Sequence, residues 1–168
     1  MKYRIPEQIT SDRLILRTPM ANDWEELHPY YSDETSMRYT VGRALEDWET
    51  WRNVALMIGH WEIHQYGPYV IEESNKVIGV AGLWFPYGWP ETEIKRGLVP
   101  DACGNGFARE GAEAVLLMAA QYLPGLHLIS LIMPENEGSI KVATGIGAVY
   151  EKTIQFRGKE ALIYRHIR

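Results

Sequence analysis

A chain of 168 residues with 46% hydrophobic and 23% charged side chains has the composition of one globular domain, long enough to bury roughly 70% of the surface its unfolded form exposes. The formal net charge of −5, with no basic run, argues against a nucleic-acid partner. A lone cysteine, Cys103, excludes an internal disulfide and a cysteine-rich zinc site, and no apolar stretch has signal-peptide or membrane-span length, so a cytoplasmic protein with no membrane partner is expected.

Along the chain, a short arm leads into an alternating strand over residues 13–19, ended by Pro19. Asn22 or Asp23 reads as the cap of a helix, DWEELHPYYS, interrupted at Pro29. A second helix is expected over residues 45–64, with Trp48, Trp51, Ala55 and Ile58 as its apolar stripe. GPYVIEE and KVIGVAGLWF follow as strands joined by SN, a hairpin signal. PYGWP forms a turn, and TEIKRGLVP is a strand with Gly97 as a possible bulge. A helix over residues 108–123 stops at PG. LHLISLIMP is a buried strand, residues 138–146 form a short helix closed by Gly147, and two strands around Arg157 and Gly158 finish the chain. This order describes an α/β fold with a mixed sheet.

Two glycines, Gly104 and Gly106, flank Asn105 at the entrance of the helix over residues 108–123. Glycine there costs entropy, and the usual return is close approach of an anion to the unpaired N–H groups of a helix N-terminus. The alternative is that the pair only shapes a turn. GNGFAREG is not G-x-G-x-x-G, no acidic residue follows at a dinucleotide spacing, and no phosphate-loop lysine is present, so nicotinamide and P-loop chemistries are weak readings.

Three blocks carry a resemblance that spans almost the whole chain: TSDRLILRTPMANDWEEL, GLVPDACGNGFAREGAEAV and NEGSIKVATGIGAVYE. Together they resemble the GNAT superfamily of acyl-CoA-dependent N-acetyltransferases, in the branch similar to the Rim-type N-acetyltransferases of ribosomal proteins. The resemblance implies a single domain, 1–168. Its fold would be a mixed, mostly antiparallel sheet of about seven strands with helices on both faces, splayed at the acetyl-CoA site near Gly97. It also implies that the backbone of Gly104, Asn105, Gly106, Phe107 and Ala108 holds the pyrophosphate of acetyl-CoA, that Leu98 and Val99 pair with the pantetheine arm, and that Asn136 and Ser139 face the pantetheine and the thioester sulfur. Two departures stand out. Cys103 replaces a customary glutamine or arginine, and Lys95 and Arg96 replace a Gly-Tyr pair.

Acetyl transfer needs a deprotonated amine, donors for developing negative charge and a proton for the leaving thiolate. Ser139 is the donor candidate, with helix capping as its structural alternative. The tyrosine that many relatives use is here Ala143, and Tyr150 reads as core. Glu93 is the candidate base, Glu91 its fallback by strand alternation, and Glu72 and Glu73 are weaker. HWEIH places His60 and His64 one turn apart, but its Glu is misplaced for a metalloprotease, so surface histidines are expected and no metal. The aromatics Trp84, Phe85, Tyr87 and Trp89 either wall an acceptor pocket or pack a loop. The expected protein is an acetyl-CoA-dependent enzyme acting on an amine, either a small molecule or a protein N-terminus, as a monomer or homodimer. The rival is a silent acyl-CoA-binding module.

Overall fold

A computed structural model describes residues 1–167. Strands β1 (Gln8–Thr10), β2 (Ile15–Arg17), β3 (Pro68–Glu73), β4 (Lys76–Trp84), β5 (Thr92–Leu98), β6 (Leu128–Ile132), β7 (Ala148–Phe156) and β8 (Lys159–His166) form one sheet in the order β1-β2-β3-β4-β5-β6-β8-β7. Every neighbouring pair is antiparallel except β5 with β6. The eighth strand comes from the N-terminal arm, which folds back on β2 as a three-residue edge. Both long hairpins turn on two residues of positive φ, Ser74-Asn75 and Arg157-Gly158, the geometry that matches strand twist.

Five helices connect the strands: α1 (Trp24–Tyr31), α2 (Glu34–Met37), α3 (Asp47–His64), α4 (Phe107–Tyr122) and α5 (Glu137–Gly145). They cover both faces of the sheet. On one face α4 buries Ala112, Val115, Met118 and Ala119 against Ile71, Ala81, Leu83 and Ile94. On the other, α1 and α3 bury Leu27, Tyr30, Val54 and Met57 against Val70, Val80 and Trp84. Adjacent strand residues such as Val70 and Ile71 divide between the two layers, so β3 and β4 read as continuous apolar runs. Among the described residues no helix is long and apolar enough to cross a membrane.

Several local expectations are corrected. Pro29 does not interrupt α1, which runs through it for two more residues. Asp23 is no simple cap: its carboxylate accepts two bonds from Arg17, at 2.8 and 2.9 Å, and one from the Met20 N–H. In α3 the buried face is Thr50, Val54, Met57, His60 and Trp61, while Trp48 and Trp51 stay 55% and 52% exposed. Both sets have helical spacing, and the side chains of the opposing layer select between them. Tyr150 is half exposed on edge strand β7 rather than core.

Candidate active site

The sheet opens at one place. β5 and β6 pair only at Thr92 with Leu128 and Glu93 with Ile129. Beyond Glu93, β5 stays on β4 through Leu98 while β6 follows β8, so the two diverge across a gap. The separation therefore begins at residue 94, not near Gly97. Gly97 is no bulge either, because it pairs with Val80 in unbroken register. What needs a glycine there is the ring of Tyr30 from α1, with which a β-carbon would collide.

A cleft of about 630 Å³ enters this gap, and Glu93, Asn136 and Ser139 all line it. Glu93 is half-buried and accepts a hydrogen bond from the Trp89 indole at 2.9 Å and another from the Leu131 backbone. Burial pushes its carboxyl above the usual glutamate value, and the Trp89 bond and the charges of Lys95 and Arg96 oppose this without reversing it. Glu91 does not line the cleft. It is held by both Arg165 nitrogens at 2.8 and 2.7 Å, which lowers its pKa, and Arg165 also bonds Glu151. Glu72 pairs with Arg17 at 2.6 Å, and Glu73 accepts from Ser74.

Capping of α5 falls to Asn136, whose Oδ1 accepts the Ser139 N–H at 3.2 Å. The Ser139 hydroxyl has a different partner. Arg96 reaches across the gap from β5, donating from Nη2 to the Ser139 carbonyl at 2.7 Å and to its Oγ at 2.9 Å, and from Nη1 to Ser130 Oγ at 3.2 Å. Because Oγ accepts from a guanidinium, the Ser139 proton is left to donate elsewhere. Burial pulls Arg96 down to about 10, still cationic at neutral pH.

At the α4 entrance Gly104 and Gly106 have φ of 82° and 79°, the left-handed region that disfavours any β-carbon. A β-carbon at Gly104 would meet nothing within 4 Å, and one at Gly106 would meet only Arg13 Nη2 at 3.5 Å. No side chain caps α4, and the Asn105 amide turns back to the Ala102 and Cys103 carbonyls. The first-turn N–H groups through Phe107 and Ala108 thus open onto clear space at the positive end of a sixteen-residue helix, a cradle that fits a pyrophosphate. Cys103 is an exposed free thiol here. The nearby cation is Arg13, stacked over Phe107 at 4.4 Å and paired with Glu110 at 2.7 Å. Leu98 is paired with Gly79, and the Val99 N–H is bonded to the Ile78 carbonyl at 2.8 Å.

The aromatic cluster divides. Trp84 and Trp89 line the cleft, Phe85 packs on His64 at 5.8 Å, and Tyr87 is fully exposed. His60 is not a surface residue: it is 4% exposed and stacked on Trp84 at 4.8 Å. Its Nδ1 faces the Tyr66 carbonyl at 3.0 Å and its Nε2 accepts the Phe85 N–H at 2.8 Å, which fixes one neutral tautomer. Among the described residues no His, Cys, Asp and Glu cluster is placed to hold a metal ion. Tyr31 and Arg157, which sequence reasoning left out, also line the cleft. No local pattern marks them, because α1 and the β7–β8 turn reach the site only through the fold.

An open sheet of mostly antiparallel strands, splayed beside a glycine turn at a helix N-terminus, defines an acyl-CoA-type transferase scaffold. Residues 13–149 match the acetyltransferase (GNAT) domain, and the chain belongs to that family as an N-acetyltransferase. It is 25% identical over 139 residues to the uncharacterized N-acetyltransferase YnaD of Bacillus subtilis (strain 168), covering 83% of this chain and 81% of that one. An acetyltransferase from Agrobacterium tumefaciens str. C58 superposes with a TM-score of 0.86 at 26% identity, covering 98% and 95% of the two chains. The ribosomal-protein acetyltransferase RimL, solved in complex with coenzyme A, shares the fold with a TM-score of 0.77 at 20% identity over 97% of each chain.

Proposed function

We propose that this chain, acting as one domain, transfers the acetyl group of acetyl-CoA to a primary amine by direct attack in a ternary complex. The observation that carries the reading is that a carboxylate and a hydroxyl face one cleft from opposite sides of the splay, Glu93 on β5 and Ser139 on α5. The RimL complex with coenzyme A supports the choice of cosubstrate. Acetyl-CoA, when bound, supplies an activated thioester carbonyl.

The residues take separate roles. The N–H groups of Gly104, Asn105, Gly106, Phe107 and Ala108 hold the pyrophosphate, with Arg13 beside them. The β5 edge that faces the gap, ending at Leu98 and Val99, and the Asn136 amide hold the pantetheine arm. Glu93 takes a proton from the incoming ammonium, directly or through water, and its raised pKa makes it a stronger base than a solvated carboxylate. Ser139 donates its proton toward the departing sulfur, and Arg96 polarises that hydroxyl and keeps it pointed. Cys103 lies at the pyrophosphate end, so no covalent acyl-enzyme is assigned.

The test is CoA release from acetyl-CoA over a panel of primary amines, followed by mass determination of the products. An N-acetylated amine with no acetylated enzyme intermediate is the expected result. Binding of acetyl-CoA without CoA release from any amine would instead leave a silent binding module.

A further inference from the structure

The charge of the cleft opposes the charge of the molecule. The chain carries a formal −5, yet the cleft is lined by Arg38, Lys95, Arg96, Arg157 and Lys159 against a single carboxylate, Glu93, a formal +4 with Glu93 ionised. Several cations elsewhere are matched: Arg13 to Glu110, Arg17 to Asp23 and Glu72, Arg43 to Glu49, and Arg165 to Glu91 and Glu151. Among the described residues none of the five cleft cations has a carboxylate within ion-pair distance. A concave site with a net positive lining and no ion pair to neutralise it is what a binding site for an anion requires.

Lys95 is the most informative of them. It lies two residues beyond Glu93 on the same strand face, so both side chains enter the cleft about 7 Å apart at their origins. Its ammonium lies over the Trp84 ring at 5.2 Å and makes no hydrogen bond to the protein among the described residues. Half-burial strips water from the charge and lowers its pKa, opposed by the Glu93 carboxylate on the same strand face. Arg157 overhangs from the β7–β8 turn, held over Trp89 at 4.6 Å and Phe156 at 5.5 Å. Tyr31, only 3% exposed, also lines the cleft, and its buried hydroxyl has no hydrogen-bond partner among the described residues.

The geometry points to a small anionic amine as the acceptor, a molecule whose primary amine lies at Glu93 and whose carboxylate or phosphate, a few bonds away, is bound by Lys95 with Arg157 closing over it. This deepens the transferase reading and rests on it for the amine's role. The anion site itself stands on the charge of the cleft and on the placement of Lys95. Free polyamines, which place cations where the cleft already has them, are excluded by the same field.

The experiment uses matched pairs: a free amino acid and its α-amide, phosphoethanolamine and ethanolamine, with spermidine as the cationic control and an acidic peptide as the macromolecular one. With wild type, the anionic member of at least one pair is expected to exceed its neutral partner by about tenfold or more in kcat/KM, chiefly through KM. That ratio should shrink as ionic strength rises. Lys95→Met should collapse it. Arg157→Gln, at an exposed turn where folding is not at risk, should reduce it about threefold or more. The same pairs are scored by thermal shift of the CoA-bound chain, a readout that needs no turnover. Stabilisation by the anionic members with no CoA release would overturn the transferase reading and keep the anion site. Equal binding of anionic and neutral members, or preference for spermidine, would overturn the proposal, as would a preference for the acidic peptide over every small anionic amine.

Discussion

In the roles proposed, Glu93 and Ser139 serve opposite ends of one transfer, and their variants should separate by pH. Glu93 must be ionised to accept a proton, and its pKa lies above the ordinary 4.5 because it is buried. Activity should therefore fall as pH drops through that raised value, so the acidic limb of kcat/KM lies higher than a solvated carboxylate would place it. Glu93→Gln keeps the shape and the Trp89 contact, and should lower kcat by about a hundredfold, partly recovered at high pH where the free amine is abundant. Wild-type activity across the pH range would remove the base role. Ser139→Ala should lower kcat by about tenfold or more while the acetyl-CoA Kd stays fixed, because a donor to a leaving thiolate acts in the transition state. Arg96→Met should reproduce that loss, and the double variant should be no worse than either single one if Arg96 works through Ser139. Both carboxylate candidates could be named from the stretch ETEIKRGLVP, in and just before the strand. That Glu91 is engaged by Arg165 could not, since Arg165 lies 74 residues away.

At the scale of an element, the turn before α4 has two demands on its glycines, conformation and space. φ near 80° at both means a valine at Gly106 strains the backbone, so loss of affinity in such a variant would be ambiguous. Asparagine tolerates the left-handed region and still places a side chain in the open volume. Gly106→Asn is expected to hold Tm within about 3 °C while weakening CoA binding tenfold or more by calorimetry. Unchanged affinity would place the pyrophosphate elsewhere. At Gly97 the demand is contact alone: Gly97→Ala drives a methyl into the buried Tyr30 ring and should cost about 1–3 kcal/mol in urea unfolding. The GNG motif marks its own importance in the sequence, whereas Gly97 gives no local sign of Tyr30, which arrives from another element.

For the whole molecule, one source of acid sensitivity is expected at the buried joint between α3, β3 and β4. Neutral His60 bridges the Tyr66 carbonyl and the Phe85 N–H, and burial depresses its pKa to about 4. A histidine with a lowered folded pKa adds stability above its unfolded value of 6.5 and loses it as pH falls toward 4, about 3 kcal/mol in all. Glu93, raised by burial, contributes in the opposite sense, its share being lost as pH rises through its folded pKa. The difference between wild type and His60→Gln isolates the histidine: urea unfolding of the variant should lack most of the slope between pH 6.5 and 4.5. An unchanged slope would assign the acid lability to other groups.

The amino-acid order alone was enough for every strand but β1, the long helices, both two-residue hairpins and the glycine turn, because period, punctuation and left-handed residues are local properties. The resemblance to the family added that Lys95 and Arg96 depart from its usual Gly-Tyr pair. Which face of α3 is buried, where β5 and β6 part, and that Arg96 spans the gap to Ser139 while Lys95 enters a cleft without a counter-ion were decided by the folded chain. They depend on contacts between distant elements, as Arg96 meets Ser130 and Ser139, 34 and 43 residues away, and Glu91 meets Arg165, 74 residues away. No local pattern encodes a contact of that range. Burial, and with it the charge balance of the cleft, is set only when both layers close on the sheet.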